Sequence, residues 1–145
     1  MEIKIKKIRE NATIPTKGSS EAAGYDLYAC IDRPIQIHPH EVAKITTGLA
    51  IQPPKGYFGA IFARSGLATK NGLRPSNCVG VCDQDYTGEY FVALHNDTDQ
   101  PQMIKPMDRI AQLVFLPYIN VDFREVTELD KTERGNGGFG STGKN

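Results

Sequence analysis

The 145 residues contain no tryptophan, and only three cysteines and three histidines. Cys30, Cys78 and Cys82 lack the spacing of a disulfide framework, and His38, His40 and His95 are scattered. Cys78 and Cys82 are predicted on the same face of one strand, yet no second pair accompanies them. Core or half-buried thiols are therefore expected rather than a zinc site. An excess of charge of either sign is also missing, since 17 basic residues balance 17 acidic ones. That excludes a broad grip on a nucleic-acid backbone and leaves room for a local cluster holding one nucleotide's phosphates. No apolar run approaches the ~20 residues of a membrane span. Residues 1–8 alternate instead of forming a continuous apolar signal core. The expectation is a cytoplasmic protein with neither nucleic acid nor membrane as partner.

Glycine and proline, in contrast, are plentiful, at 14 and 9 residues. They punctuate short strand signals at residues 3–5, 35–37, 42–45, 49–51, 57–62, 93–95, 102–104 and 110–116, with 121–126 as a last strand. Only residues 65–71 look capable of a short helix. Many short strands with turn signals about every ten residues predict an all-β fold, a jelly-roll-like β-barrel. Neither an internal repeat nor a second domain is visible. Residues 1–130 read as one domain, and 131–145 as a mobile, Gly-rich C-terminal arm.

Residues 77–92 read as a β-hairpin, with one apolar arm at 79–82, a polar turn, and a second arm at 90–92. Asp83 follows directly on the first arm, where its carboxylate is expected to be partly sheltered. Gly80 removes a side chain from mid-strand, which marks close approach by a ligand or another backbone. Such a hairpin suits a flat polar ligand as well as a plain structural turn.

Other motifs carry two readings each. Arg64-Ser65-Gly66 is a strand-end turn, or an anion site made of a guanidinium fork, a hydroxyl and an approachable backbone. Asp108 and Arg109 pair as a turn at the head of an apolar run in which Gln112, if buried, needs a partner. Asp26 is a turn acid or a carboxylate beside magnesium. In the tail, Gly138, Gly140 and Gly143 fit the letters of a dinucleotide fingerprint, and Gly138 to Lys144 most of a P-loop. Both motifs open a helix onto phosphate, and none follows here; Asn145 also stands where a P-loop needs Ser or Thr. The tail is either disordered or a lid, with Arg134, Ser141 and Thr142 near phosphate and Phe139 over a ligand.

Taken in order, the motifs are Ala23-Gly24-Tyr25-Asp26-Leu27, Arg64-Ser65-Gly66, the stretch from Gly80 to Gly88, Asp108-Arg109-Ile110-Ala111-Gln112-Leu113, and Arg134 to Gly143. This series resembles the five-motif signature of the trimeric dUTPases (dUTP diphosphatases) over about residues 22–143. The resemblance implies hydrolysis of dUTP to dUMP and pyrophosphate by water attack on the α-phosphorus, which keeps uracil out of DNA and supplies dUMP for thymidylate synthesis. It implies Asp83 as the base or water-orienting group, and Mg²⁺ reached by Asp26 through water. Arg64, Ser65, Gly66 and Gln112 would meet phosphate oxygens, joined by Arg134, Gly140, Ser141 and Thr142 from the arm, with Phe139 laid on uracil. Asn77, Gly80, Val81, Cys82 and Phe91 would read the base, and Tyr86 would exclude a ribose 2′-hydroxyl. A homotrimer with active sites shared between subunits is implied as well.

The chain departs from the family pattern at two positions. Cys82 replaces the usual Ile, and Met107 replaces the usual Gly before Asp108. If the turn at Met107 needs a positive φ, its Cβ costs about 1 kcal/mol or more. Two rival readings are a dCTP deaminase, which shares the fold, and a non-catalytic dUTP-sensing protein on the same scaffold.

Overall fold

The computed structural model describes residues 1–138. The strands are β1 (Lys4–Lys7), β2 (Thr16–Lys17), β3 (Tyr25–Tyr28), β4 (Ile35–Ile37), β5 (Val42–Gln52), β6 (Tyr57–Phe62), β7 (Leu73–Pro75), β8 (Gly80–Cys82), β9 (Glu89–Asn96), β10 (Gln102–Ile104) and β11 (Arg109–Pro117). One helix, α1 (Ser65–Asn71), lies between β6 and β7, where the sequence predicts it, and ends on Gly72 in the left-handed conformation.

A four-stranded sheet runs β1-β5-β9-β7 and a five-stranded sheet runs β2-β3-β11-β6-β8, with β10 and β4 as a separate pair. Alternation explains how they face each other. Along β9, Tyr90, Val92, Leu94 and Asn96 are buried, while Glu89, Phe91, Ala93 and His95 are half-buried or exposed. The inward set meets Leu27, Ile61, Ile110 and Leu113 from the five-stranded sheet in one core. Asn96, a fully buried polar residue, is satisfied on all sides: Nδ2 donates to the carbonyls of Ile37, His38 and Gln100, and Oδ1 accepts from Thr98 N and Oγ1. It ties the end of β9 to β4 and the following loop, so its replacement would orphan several backbone groups.

The all-β, jelly-roll-like expectation holds, with one correction: among the described residues the sheets have open, linear strand orders and close into no barrel. The segments 42–45 and 49–51 are one strand, β5, whose register against β9 shifts between Thr46 and Leu49. The proposed hairpin is not one. β8 pairs with β6, and β9 pairs with β5 and β7, so residues 83–88 form a corner between two sheets. The same geometry places Cys78 outside β8, in a turn with φ 61°, so it shares no strand face with Cys82. Residues 121–126 form no strand; Val121, Phe123 and Val126 are all exposed. No helix among the described residues is long and apolar enough to cross a membrane.

Candidate active site

β8 is the last strand of its sheet and pairs on one side only, so its outer edge presents backbone N–H and C=O groups unclaimed by a ladder. Beside it lies a cavity of about 280 Å³ whose lining includes Asn77, Gly80, Asp83, Tyr86 and Phe91, with Val81 and Cys82 completing the β8 contribution. The size suits a small flat ligand rather than a whole nucleotide, being at the lower limit for ligand pockets. Gly80 keeps that space open: a Cβ on it would meet Ile61 Cβ at 3.2 Å and Asn77 Nδ2 at 3.3 Å. Its lack of a side chain lets the Asn77 amide fold over the strand. Seven residues that the family resemblance implied thus line one cavity, although the hairpin in which they were expected does not exist.

Asp83 stands where β8 ends. It is exposed, not sheltered as expected, because the corner turns it outward. It also lines a neighbouring hollow with Phe58, Gln84 and Tyr118. Behind it, burial pushes the Cys82 thiol up to about 11, with the nearby Tyr90 phenol opposing the effect and the Asp83 charge adding to it. Cys82 is therefore a neutral, apolar backing at physiological pH rather than a nucleophile. Sequence reasoning missed Glu89 and Tyr90, which also line the cavity. Glu89 Oε1 accepts the Gly48 N–H at 2.8 Å, a contact across β5 and β9 that no local motif signals.

A second cluster forms where β3, β11 and the start of α1 meet. Asp26, 3% exposed, accepts from Arg64 Nε at 2.8 Å and from Arg109 Nη1 at 3.2 Å. Arg64 sits just before α1 in an extended conformation, with Ser65 and Gly66 exposed in the first helical turn. Gln112 is half-buried and in register with Asp26 on one side and Phe62 on the other; among the described residues its amide makes no side-chain hydrogen bond. The cluster therefore presents two guanidinium groups held by one buried carboxylate, with a spare amide alongside. Such a group attracts anions, since Arg64 and Arg109 retain donors that Asp26 does not use. Arg109 was legible only as one half of a turn pair with Asp108; the structure gives it to Asp26, and Asp108 Oδ2 instead caps the Lys105 N–H at 2.7 Å.

Among the described residues the two groups line separate cavities. Arg64 and Arg109 line a hollow of about 310 Å³ that none of the Asn77-to-Phe91 group reaches. Arg134 lies in a turn, its Nε donating to Gly137 O at 2.9 Å. Phe139, Gly140, Ser141 and Thr142 lie outside the described residues.

For a magnesium ion, the donor set is informative. Among the described residues no three His, Cys, Asp or Glu side chains gather into a metal cage. Each Asp26 oxygen has one arginine partner and can accept one further hydrogen bond. That fits a hydrated ion carried chiefly by phosphate oxygens, which is how Mg²⁺ commonly binds nucleotides.

The features together define a jelly-roll-like β-protein with a backbone-edged cavity for a flat ligand and a separate arginine cluster for anions. The profile of the dUTPase family matches residues 10–143. The deoxyuridine 5′-triphosphate nucleotidohydrolase of Desulfitobacterium hafniense (strain DSM 10664 / DCB-2) is 47% identical over 146 aligned residues, covering 99% of this chain and 97% of the relative. That of Hydrogenobaculum sp. (strain Y04AAS1) is 44% identical, covering 99% of each chain. A mutant dUTPase of Staphylococcus bacteriophage 80alpha, solved with dUpNHpp, superposes with a TM-score of 0.89 at 28% identity over 98% of both chains. The chain belongs to the dUTPase family.

Proposed function

We propose that this protein hydrolyses dUTP to dUMP and pyrophosphate in the cytoplasm, acting as a dUTP diphosphatase. The observation that carries the reading is the convergence of Asn77, Gly80, Val81, Cys82, Asp83, Tyr86 and Phe91 on one small cavity beside the free edge of β8. Uracil offers a carbonyl, an N–H and a second carbonyl. An unpaired strand edge offers the complementary alternation, and cytosine reverses part of it. A mismatched pattern leaves buried groups unpaired, which discriminates more strongly than shape alone. Tyr86, on the lining of the same cavity, meets the deoxyribose on this reading and excludes a 2′-hydroxyl.

At the rim, Asp83 accepts a hydrogen bond from the attacking water, orients it toward the α-phosphorus and takes its proton. Arg64, Gln112, Ser65 and Gly66 bind phosphate oxygens and stabilise the charge on the leaving pyrophosphate. Asp26 holds Arg64 and Arg109 in place and would help hold, through water, the Mg²⁺ that accompanies the triphosphate. When bound, that ion neutralises phosphate charge. Arg134, Gly140, Ser141 and Thr142, with Phe139 on the base, cover the site from the arm 131–145, exclude water and complete the phosphate contacts.

Supporting a homotrimer with shared sites is the separation of the base-side and arginine-side residues in a single chain. The segment after β11, with exposed Ile119 (87%), Phe123 (97%) and Leu129 (87%), also points to burial against a neighbouring copy. The test is pyrophosphate release from dUTP with Mg²⁺, beside dCTP, dTTP and UTP. Asp83→Asn should abolish turnover and leave dUTP binding largely intact. Ammonia from dCTP, or dUTP binding without turnover in the unaltered protein, would overturn the reading.

A further inference from the structure

Tyr90 is 1% exposed, and its hydroxyl is buried without a hydrogen-bond partner among the described residues. An unpaired buried hydroxyl calls for a reason. Core filling does not supply one, since the next inward residues of β9, Val92 and Leu94, are aliphatic. The length of the side chain does. A Cβ built on Gly59 would lie 3.3 Å from Tyr90 Oη and 3.4 Å from Cys82 Cβ, and Gly59 and Cys82 are register partners in the β6–β8 ladder. The Tyr90 ring thus bridges from β9 in one sheet to the β6–β8 pair in the other.

Tyr86 lies against this ring, with centroids 6.0 Å apart and 30° between the planes. It is 42% exposed, so core packing alone does not hold it. Its Oη donates to Glu89 O at 2.9 Å. A Cβ on Gly88 would fall 2.6 Å from that same Oη, so the ring can lie down only because Gly88 has none. One edge of Tyr86 is therefore tethered at Glu89 and passes over Gly88, and the ring rests on Tyr90.

We propose that Tyr90 is a positioning residue for sugar selection: its ring, fixed across both sheets, is the floor that keeps Tyr86 where deoxyribose fits and ribose does not. The proposal rests on the reading of Tyr86 as the sugar-facing residue. A ribose differs from a deoxyribose by a single oxygen, so a Tyr86 ring free to sink by about 1 Å would admit it; displacements of that size can change rates about a hundredfold. An aliphatic side chain at position 90 would fill volume but offer no flat surface for an offset aromatic contact. The ring carries this role, so the hydroxyl is dispensable to it.

Tyr90→Leu and Tyr90→Phe are compared by kcat/KM for dUTP and UTP, and by NMR of ring-labelled tyrosine with the Tyr86 signals assigned through Tyr86→Phe. Tyr90→Leu should reduce the preference for dUTP over UTP roughly tenfold or more, mainly through faster UTP turnover, and should average the Tyr86 ring signals. Tyr90→Phe should keep both the preference and the signals. If Tyr90→Leu fails to fold, Tyr90→Met, flexible and of comparable reach, should show the same loss. Unchanged Tyr86 signals in the folded aliphatic variant overturn the positioning role, and unchanged preference with a mobilised ring overturns the selection role. Should the unaltered protein turn over neither nucleotide, the dUTP reading itself fails, and the NMR comparison still decides whether Tyr90 positions Tyr86.

Discussion

Arg64 donates its Nε–H to Asp26 Oδ1 at 2.8 Å, on a carboxylate whose side chain is only 5% exposed. Removing one member of a buried ion pair leaves the other charge uncompensated, which costs about 3–5 kcal/mol when both are fully buried. Here Arg64 and Arg109 are 25% and 49% exposed and partly rehydrate. Asp26→Ala should therefore lose about 2–3 kcal/mol of stability by urea unfolding, with most of the dUTP hydrolysis lost alongside. Arg109→Ala, at the more exposed partner, should cost about 1 kcal/mol.

These contacts span 38 and 83 positions in the chain, which is why the sequence does not display them. Strands do show, because alternation is local: β9 buries Tyr90, Val92 and Leu94 as the pattern requires. α1 shows locally as well, closed at its C-terminus by Gly72. Pairing is different. Asp-Gln-Asp and Gly between β8 and β9 are hairpin chemistry, yet Gly80 and Cys82 face Ile61 and Gly59 instead, a choice made by the core between the sheets. The cavity residues were found despite that error, since they follow the motif and not the strand partner. Glu89 and Tyr90 were missed because their contacts, to Gly48 and Gly59, lie across strands.

Met107 adopts φ 70°, as the departure from the family's usual Gly leads one to ask. Its N–H donates to Ala29 O at 2.9 Å, so the turn cannot relax by rotating without losing a bond. A left-handed conformation costs a residue with a Cβ about 1–2 kcal/mol, while introducing Gly costs about 0.4–1 kcal/mol through the unfolded chain. Strain wins. Met107→Gly should raise the urea midpoint by the equivalent of about 0.5–1 kcal/mol, less a small loss from the Thr13 Oγ1 contact to Met107 Sδ. An unchanged or lower midpoint would show that the turn has absorbed the Cβ elsewhere.

Burial raises the Cys82 thiol from its ordinary 9.0 to about 11 and raises the Tyr90 phenol as well. Below pH 9 the thiol is protonated both folded and unfolded, and its contribution to stability is complete. From about pH 9 to 11 the unfolded chain releases the proton while the folded chain keeps it. The unfolded state then binds fewer protons, so stability falls as pH rises. Urea midpoints taken across that window should decline, and Cys82→Val should flatten the decline. The residual slope belongs to Tyr90 and other groups that titrate at alkaline pH.

On the proposed reading, the arm 131–145 serves catalysis and not stability. Among the described residues 132–138 only Gly137 is half-buried and the rest are exposed. The Arg134–Gly137 and Gly135–Thr132 hydrogen bonds stay within the turn itself. Residues 132–138 therefore contribute almost no packing to the body, and the unfolding midpoint of a chain truncated after Lys131 should match that of the full one. Activity should not survive as well. The truncation deletes Arg134 and the proposed Phe139, Gly140, Ser141 and Thr142, so kcat/KM for dUTP should fall by about a hundredfold or more, as positioning groups warrant. Adding back a synthetic peptide of the arm at high concentration should recover part of the rate. A truncated enzyme of full activity removes the arm from the mechanism, whereas a lowered midpoint assigns it to the structure of the body.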